Sequence, residues 1–296
     1  MKYDLAFSVF RPGSAARAAV LIVHGMAEHR RRYDGFAQYL AGRGYGVVTY
    51  DLPGHGESKG EALGWFGEEG GWDTLVDSVS DAFAKMKEEF PDVPYVLFGH
   101  SMGTIVGRCW LQKHDHDIDA CILSGAPNYQ PAGKVGAALG RLIARKNGKK
   151  GHSTLMDQLV TGNFNKSVKN PRTPLDWLSF STENVDRYIQ DPLCGFPFTV
   201  QGYVDELTGL QRMNVSKEYF CIKPLLPIYF FAGEQDPCIG GVKGLQSSIK
   251  TLRAAGYSNV SYKLYPNMRH ETLNEADHET VYKDVADWLD KTLKVN

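Results

Sequence analysis

YVLFGHSMGT, residues Tyr95 to Thr104, passes from an apolar run through a glycine-spaced turn into TIVGRCWLQKH, a helix-like segment ending at His114. Within it, Gly99-His100-Ser101-Met102-Gly103 fits the pattern G-x-S-x-G at a junction of strand and helix. A residue on so sharp a turn holds a strained backbone. Glycines two positions either side are required because side chains there would collide with the neighbouring backbone. The junction therefore predicts that the Ser101 hydroxyl is presented outward as a nucleophile.

Working outward, three further apolar runs read as buried strands: AAVLIVHG ending near His24, YGVVTYDL near Asp51 and DACILSGAP near Ala126. Helix-like stretches separate them. YDGFAQYLAGRG places Phe36, Tyr39 and Leu40 on one face and stops at Gly42, and LVDSVSDAFAKMKEEFP spaces Val76, Val79, Phe83 and Met86 at helical intervals. Such alternation predicts an α/β fold with a mostly parallel central sheet flanked by helices. The rhythm breaks after Pro127 and resumes with LLPIYFFAGEQDP, a helix from Gly241, the strand NVSYKLYP and a closing amphipathic helix. We therefore expect residues 1–127 to form the first part of the core, 128–222 an inserted, mainly helical cap, and 223–296 the second part.

Serine needs a base within hydrogen-bond reach, usually a histidine oriented by a carboxylate. In strand-to-helix nucleophile folds the acid and then the base follow the serine, on loops after late strands. After IYFFAG come Glu234, Gln235 and Asp236, and after VSYKLYP come Asn267, Met268, Arg269 and His270. Asp236 is preferred to Glu234 because Pro237 restrains its loop and disfavours helix before it. His270 is preferred to His278, which reads as the first turn of a surface helix. For the oxyanion, the backbone amides of Met102, after the nucleophile, and Met26, after the first long strand, are the expected donors.

These segments resemble the monoacylglycerol lipase and lysophospholipase group of α/β-hydrolases. HGMAEHRRRYDGFAQYLAGRGYGVVTYDLPGHGESKG is similar to that family's HGxxEH loop and DxxGHGxS turn, GHSMG to its nucleophile elbow, and GEQDP with YPNMRHETLNE to its acid and base loops. The resemblance implies an α/β-hydrolase fold, a triad of Ser101, Asp236 and His270, and an oxyanion hole at the amides of Met26 and Met102. It also implies that 128–222 is the cap shaping the acyl pocket. NVDRYIQDPLCGFPFT within it is similar to a segment of bacterial lysophospholipase-like members.

The expected activity is carboxylic-ester hydrolysis on a small, lipid-like ester, without cofactor and without metal. A peptidase or amidase would use the same triad, and a non-catalytic ligand-binding protein would keep the fold alone. Dehalogenases and epoxide hydrolases of this shape are disfavoured because they carry aspartate at the position of Ser101. The chain has 296 residues, 43% hydrophobic and 23% charged, which suits a globular protein. A formal net charge of -1, from 33 basic and 34 acidic residues, provides no global field toward nucleic acid.

Five cysteines in no CxxC pair argue for reduced thiols, and Cys238, two residues after Asp236, reads as a buried inert one. Asp4 and the early Pro12-Gly13 turn are unlike a signal peptide, so a cytoplasmic location is expected. His55 reads as a brace for a turn, His100 as packing behind the nucleophile, and His114 and His116 as part of a solvated turn. In GKVGAALGRLIARKNGKK, Val135, Leu139, Leu142 and Ile143 share a helical face flanked by Arg141, Arg145, Lys146, Lys149 and Lys150. Two readings fit that helix: packing on the core with a solvated basic end, or peripheral membrane contact through the cap.

Overall fold

The apolar runs become strands of one seven-stranded sheet, seen in a computed structural model that describes residues 4–58, 60–162 and 164–294. The strands are β1 (Phe7–Phe10), β2 (Ala19–Val23), β3 (Gly46–Tyr50), β4 (Tyr95–His100), β5 (Ala120–Ser124), β6 (Ile228–Gly233) and β7 (Val260–Tyr265). Their spatial order is β1-β3-β2-β4-β5-β6-β7, with every pairing parallel except β1 on β3. Strands β2, β3, β5 and β6 are buried along their whole length, as parallel strands covered on both faces must be.

Helices α1 (Asp34–Gly42), α2 (Gly71–Glu89), α3 (Met102–His114), α8 (Gly241–Ala255) and α9 (His278–Leu293) flank this sheet. One apolar layer joins Phe36, Leu40, Val281, Val285 and Leu289 of α1 and α9 to Ile22, Phe98, Ile122 and Phe231. The opposite layer joins Leu75, Val79, Phe83 and Met86 of α2 and Ile105 and Trp110 of α3 to Leu21, Val48, Leu97 and Leu123. β1 lies outside the apolar runs that mark the other strands: FSVF is a short, half-buried edge strand, and its pattern is weak because only the Phe7–Tyr50 and neighbouring pairs hold it.

Between β5 and β6 lie α4 (Gly133–Asn147), α5 (Thr154–Val160), α6 (Thr182–Gln190) and α7 (Val200–Arg212). Phe198, Val200, Tyr203, Leu207 and Met213 of this stretch belong to the same apolar cluster as α2 and α3. The packing of α4 departs from the amphipathic expectation. It buries Gly133, Ala137, Gly140 and Ala144, small residues that bring it close to Val204 and Leu207 of α7, and leaves Val135 and Leu142 outside. Of its expected basic flank, Lys149 pairs with Glu68 and Lys150 with Glu61.

Among the described residues, no helix is long and apolar enough to cross a membrane. The signal-peptide reading begins on residues 1–3, which lie outside the described ones.

Candidate active site

Four loops at the carboxyl ends of β2, β4, β6 and β7 converge, the edge at which parallel α/β sheets bind ligands. The β4–α3 turn carries Ser101 at φ 51° and ψ -121°, a positive φ that a non-glycine residue holds only under constraint. That constraint is visible. The Ser101 amide donates to Ser124 O at 2.9 Å, and Ser101 O accepts from the Thr104 amide at 2.8 Å and the Thr104 hydroxyl at 2.7 Å. A Cβ on Gly99 would stand 2.6 Å from Gly103 O, and one on Gly103 would drive into the carbonyls of Val23 and His24.

Gly103→Ala should therefore lose about 2 kcal/mol or more, since backbone rather than a flexible side chain must give way. Scanning calorimetry should register this as a fall in Tm of roughly 3 °C or more. An unchanged Tm would contradict the close approach of α3 to β2.

The β6 loop turns at once toward His270. Glu234 and Gln235 are exposed, whereas Asp236 is buried. One Asp236 oxygen accepts the Cys238 amide at 2.8 Å, and the other lies 2.9 Å from His270 Nδ1. Burial is the strongest single influence on His270 and favours its neutral form. The attraction and hydrogen bond of Asp236, with Glu271 and Glu28, outweigh it and raise the ring above its ordinary pKa. His278 lies elsewhere, on α9, with Nδ1 2.7 Å from Glu275 O and its ring 4.9 Å from that of Tyr282.

Gly125 brings serine and histidine into one locale. It follows Ser124, the acceptor for the Ser101 amide, and a Cβ on it would stand 3.0 Å from His270 Nδ1. His100 stands behind, 4.7 Å from the His270 ring, with Nδ1 3.1 Å from the Ser124 hydroxyl. Burial, then the neighbouring His270, push the His100 pKa down to about 4, which keeps that ring neutral.

The β2 loop closes over the serine, since a Cβ on Gly25 would meet Ser101 Cβ at 3.1 Å. His24 fixes its start. Its Nε2 accepts the Leu52 amide at 2.9 Å, so Nδ1 carries the proton and donates to Gly25 O at 2.8 Å. The Gly25 amide is committed to Glu28 Oε1 at 2.6 Å, which favours Met26 over Gly25 as the oxyanion donor from this loop. Met102 N heads α3, where the first-turn amides have no partner within the helix and point out along its axis.

Other singled-out residues serve structure. His55 is buried in an aromatic cluster, 5.6 Å from Phe66 and 5.3 Å from Phe198, with Nδ1 3.1 Å from Pro53 O. His114 Nδ1 pairs with Asp117 at 3.1 Å. All five cysteines are free, and burial followed by Asp236 raises the Cys238 thiol well above its usual range. Asp236, Cys238 and His270 place ligand-type atoms within 4.8 Å of one another, as do His29, Asp191 and Cys194. In the first trio the acid and imidazole already bond each other, and a thiol that keeps its proton is a poor metal ligand.

Two buried carboxylates at the site escaped the sequence reading. Glu28 accepts from Gly25 N and from the Tyr33 hydroxyl at 2.7 Å; burial opposes its charge, but Arg32 holds its pKa well below the usual carboxylate range. Glu275 accepts from Arg269 N at 2.8 Å and from the Ser179 hydroxyl and the amides of Phe180 and Ser181, which ties the His270 loop to the inserted stretch. Trp177 lies over His270 at 5.1 Å between ring centres. The Glu28 of HGMAEH was available as a signal, whereas the contacts of Glu275 with the inserted stretch span 94 to 96 residues and leave no local pattern.

Residues 14–277 match the Hydrolase_4 family, described as serine aminopeptidase S33. The chain is 34% identical over 285 residues to the mouse monoglyceride lipase, covering 95% of this chain and 84% of that protein. It is 27% identical over 292 residues to the monoacylglycerol lipase of Mycolicibacterium smegmatis, covering 96% and 92%. A thermostable carboxyl esterase from Bacillus coagulans superposes with a TM-score of 0.91 at 24% identity, over 99% of this chain and 95% of that one, a likeness of fold.

Proposed function

The chain belongs to the Hydrolase_4 family of serine aminopeptidase S33 type, and from that premise we propose that it hydrolyses lipid-type carboxylic esters, such as monoacylglycerol or lysophospholipid, through an acyl-enzyme on Ser101. The observation that carries this reading is the buried pair of Asp236 and His270 set beside the strained turn of Ser101. Asp236 holds the Nδ1 proton, which leaves Nε2 as the base that takes the Ser101 proton during attack on the carbonyl. The amides of Met26 and Met102 receive the oxyanion. The imidazolium then protonates the leaving alcohol, and the same ring activates the water that releases the acid.

The lipid-type substrate is supported by the names of the mouse and mycobacterial relatives. The family description favours a second reading, cleavage of amides at the same site. A panel of monoacylglycerols, lysophospholipids, p-nitrophenyl esters and an amino-acid anilide separates the two. Ester turnover with negligible anilide turnover is expected, and the reverse would overturn the ester reading.

We take residues 128–222 as the cap, and propose that its outer face docks on lipid. Val135 and Leu142 of α4 are 72% and 59% exposed beside Lys134, Arg141, Arg145 and Lys146, and Leu155 and Leu159 of α5 are also exposed. The protein should co-float with phosphatidylglycerol vesicles, and Val135→Glu with Leu142→Glu should leave it at the bottom of the gradient. Wild-type protein that does not float would end this idea. Five free thiols fit a reducing cytoplasm as the working compartment.

A further inference from the structure

The inserted stretch grips the loop that carries Met26. Ala27 stands at φ 50°, a left-handed conformation that a residue with a Cβ keeps only when its surroundings enforce it. Two donors from the insertion do so, both to Ala27 O: the Tyr188 hydroxyl at 2.8 Å and the Gly195 amide at 2.9 Å. Two residues on, His29 Nε2 meets Asp191 Oδ2 at 2.8 Å.

Arg32 extends the grip to the base. Its guanidinium holds Glu28 at 2.7 Å and both oxygens of Glu271, the residue after His270, at 2.6 and 2.7 Å. Asn184 of α6 bridges the same groups, accepting from Arg32 at 3.1 Å and donating to Glu271 at 2.7 Å. The Tyr188 ring lies 4.8 Å from the Arg32 guanidinium carbon, a cation–π contact out of water.

We propose that α6 and the 191–195 segment form a strap that positions the oxyanion loop, with Tyr188 as its principal donor and Arg32 as its link to the His270 loop. The inference rests on the ester-hydrolase reading of Ser101. The peptide groups around Met26 are anchored on both sides, by Glu28 on the Gly25 amide and by the strap on the Ala27 carbonyl. The Met26 amide is thereby aimed before substrate arrives. A donor fixed in advance favours the transition state over the bound ester, so loosening its anchor lowers kcat and leaves KM nearly unchanged. Tyr188 and Asp191 are positioning residues on this account.

The test uses full-length protein with p-nitrophenyl butyrate and a trifluoromethyl ketone, which forms an oxyanionic adduct with the serine. Tyr188→Phe keeps the ring over Arg32 and removes only the hydroxyl. Its kcat should fall about tenfold, KM should stay within about twofold, and ketone affinity should weaken in proportion to kcat/KM. Asp191→Ala, at a half-exposed side chain, should act in the same direction by about threefold, and is read alone if Tyr188→Phe does not fold.

Tyr203→Phe is the control. It removes another buried hydroxyl of the insertion, bonded to Asp157 at 2.6 Å, and should lower Tm with kinetics unchanged. Wild-type kcat and ketone affinity in the strap variants, or an equal kcat loss in Tyr203→Phe, would overturn the strap. A wild-type protein that neither turns over esters nor labels at Ser101 with a fluorophosphonate would instead remove the reading on which it rests.

Discussion

Ser101→Ala is expected to lower p-nitrophenyl ester hydrolysis by about a millionfold, the scale on which deleting a serine nucleophile acts when its base and acid work only through it. Fluorophosphonate labelling, read by intact mass, should vanish with it. The fold should survive. Ser101 is held through its backbone, by Ser124 O and by the Thr104 amide and hydroxyl, and none of these bonds involves the side-chain oxygen. Alanine also tolerates the site's φ of 51° no worse than serine does, so Tm should move by less than about 2 °C. Activity above a hundredth of wild type with an intact Tm would exclude Ser101 as the nucleophile. Loss of activity together with loss of the fold would call for Ser101→Cys, which keeps a nucleophile of similar size.

Much of this arrangement is legible along the chain because its determinants are local. Gly99 and Gly103 stand where a Cβ would strike backbone, and the apolar runs before Ser101, Asp236 and His270 are strands whose loops end at one sheet edge. Glu234 and Asp236 are adjacent choices, and exposure separates them: the first residue after the strand faces solvent and the third turns in. What escapes local reading is held together across sequence. Arg32 meets Glu271 over a separation of 239 residues and Tyr188 meets Ala27 over 161, distances at which no periodicity or spacing operates. α4 misleads for a different reason. Its pattern of Val135, Leu139, Leu142 and Ile143 describes an apolar stripe, but glycine and alanine permit the closest approach to α7, so the small-residue face is the one buried. Half-buried β1 fails at the other extreme, four residues with no fully buried position to set a period.

Asp236→Asn should lower kcat by about ten-thousandfold while leaving the fold and KM close to wild type. The direction follows from the two hydrogen bonds of the carboxylate. Oδ1 accepts the Cys238 amide, a bond that only an oxygen can accept, so the asparagine must set its carbonyl there. Its NH2 group then faces His270 Nδ1, the atom 2.9 Å from the other carboxylate oxygen, and donates to it. The imidazole proton is forced onto Nε2, toward Ser101, and the ring can no longer take a proton from the hydroxyl.

The pH profile carries an independent sign. Burial pulls the His270 pKa down, and Asp236, with Glu271 and Glu28, more than reverses it, so the wild-type ring stays protonated and inactive to a pH above its ordinary value near 6.5. Wild-type kcat/KM should therefore fall as pH drops through a value above 6.5. In Asp236→Asn the largest raising influence is gone while burial, Glu271 and Glu28 remain, and the midpoint of the residual acid limb should move to lower pH. Glu234→Gln, at an exposed side chain one residue past β6, should leave both rate and midpoint unchanged. An acid limb that stays in place in Asp236→Asn, or one that shifts in Glu234→Gln, would assign the orienting carboxylate elsewhere.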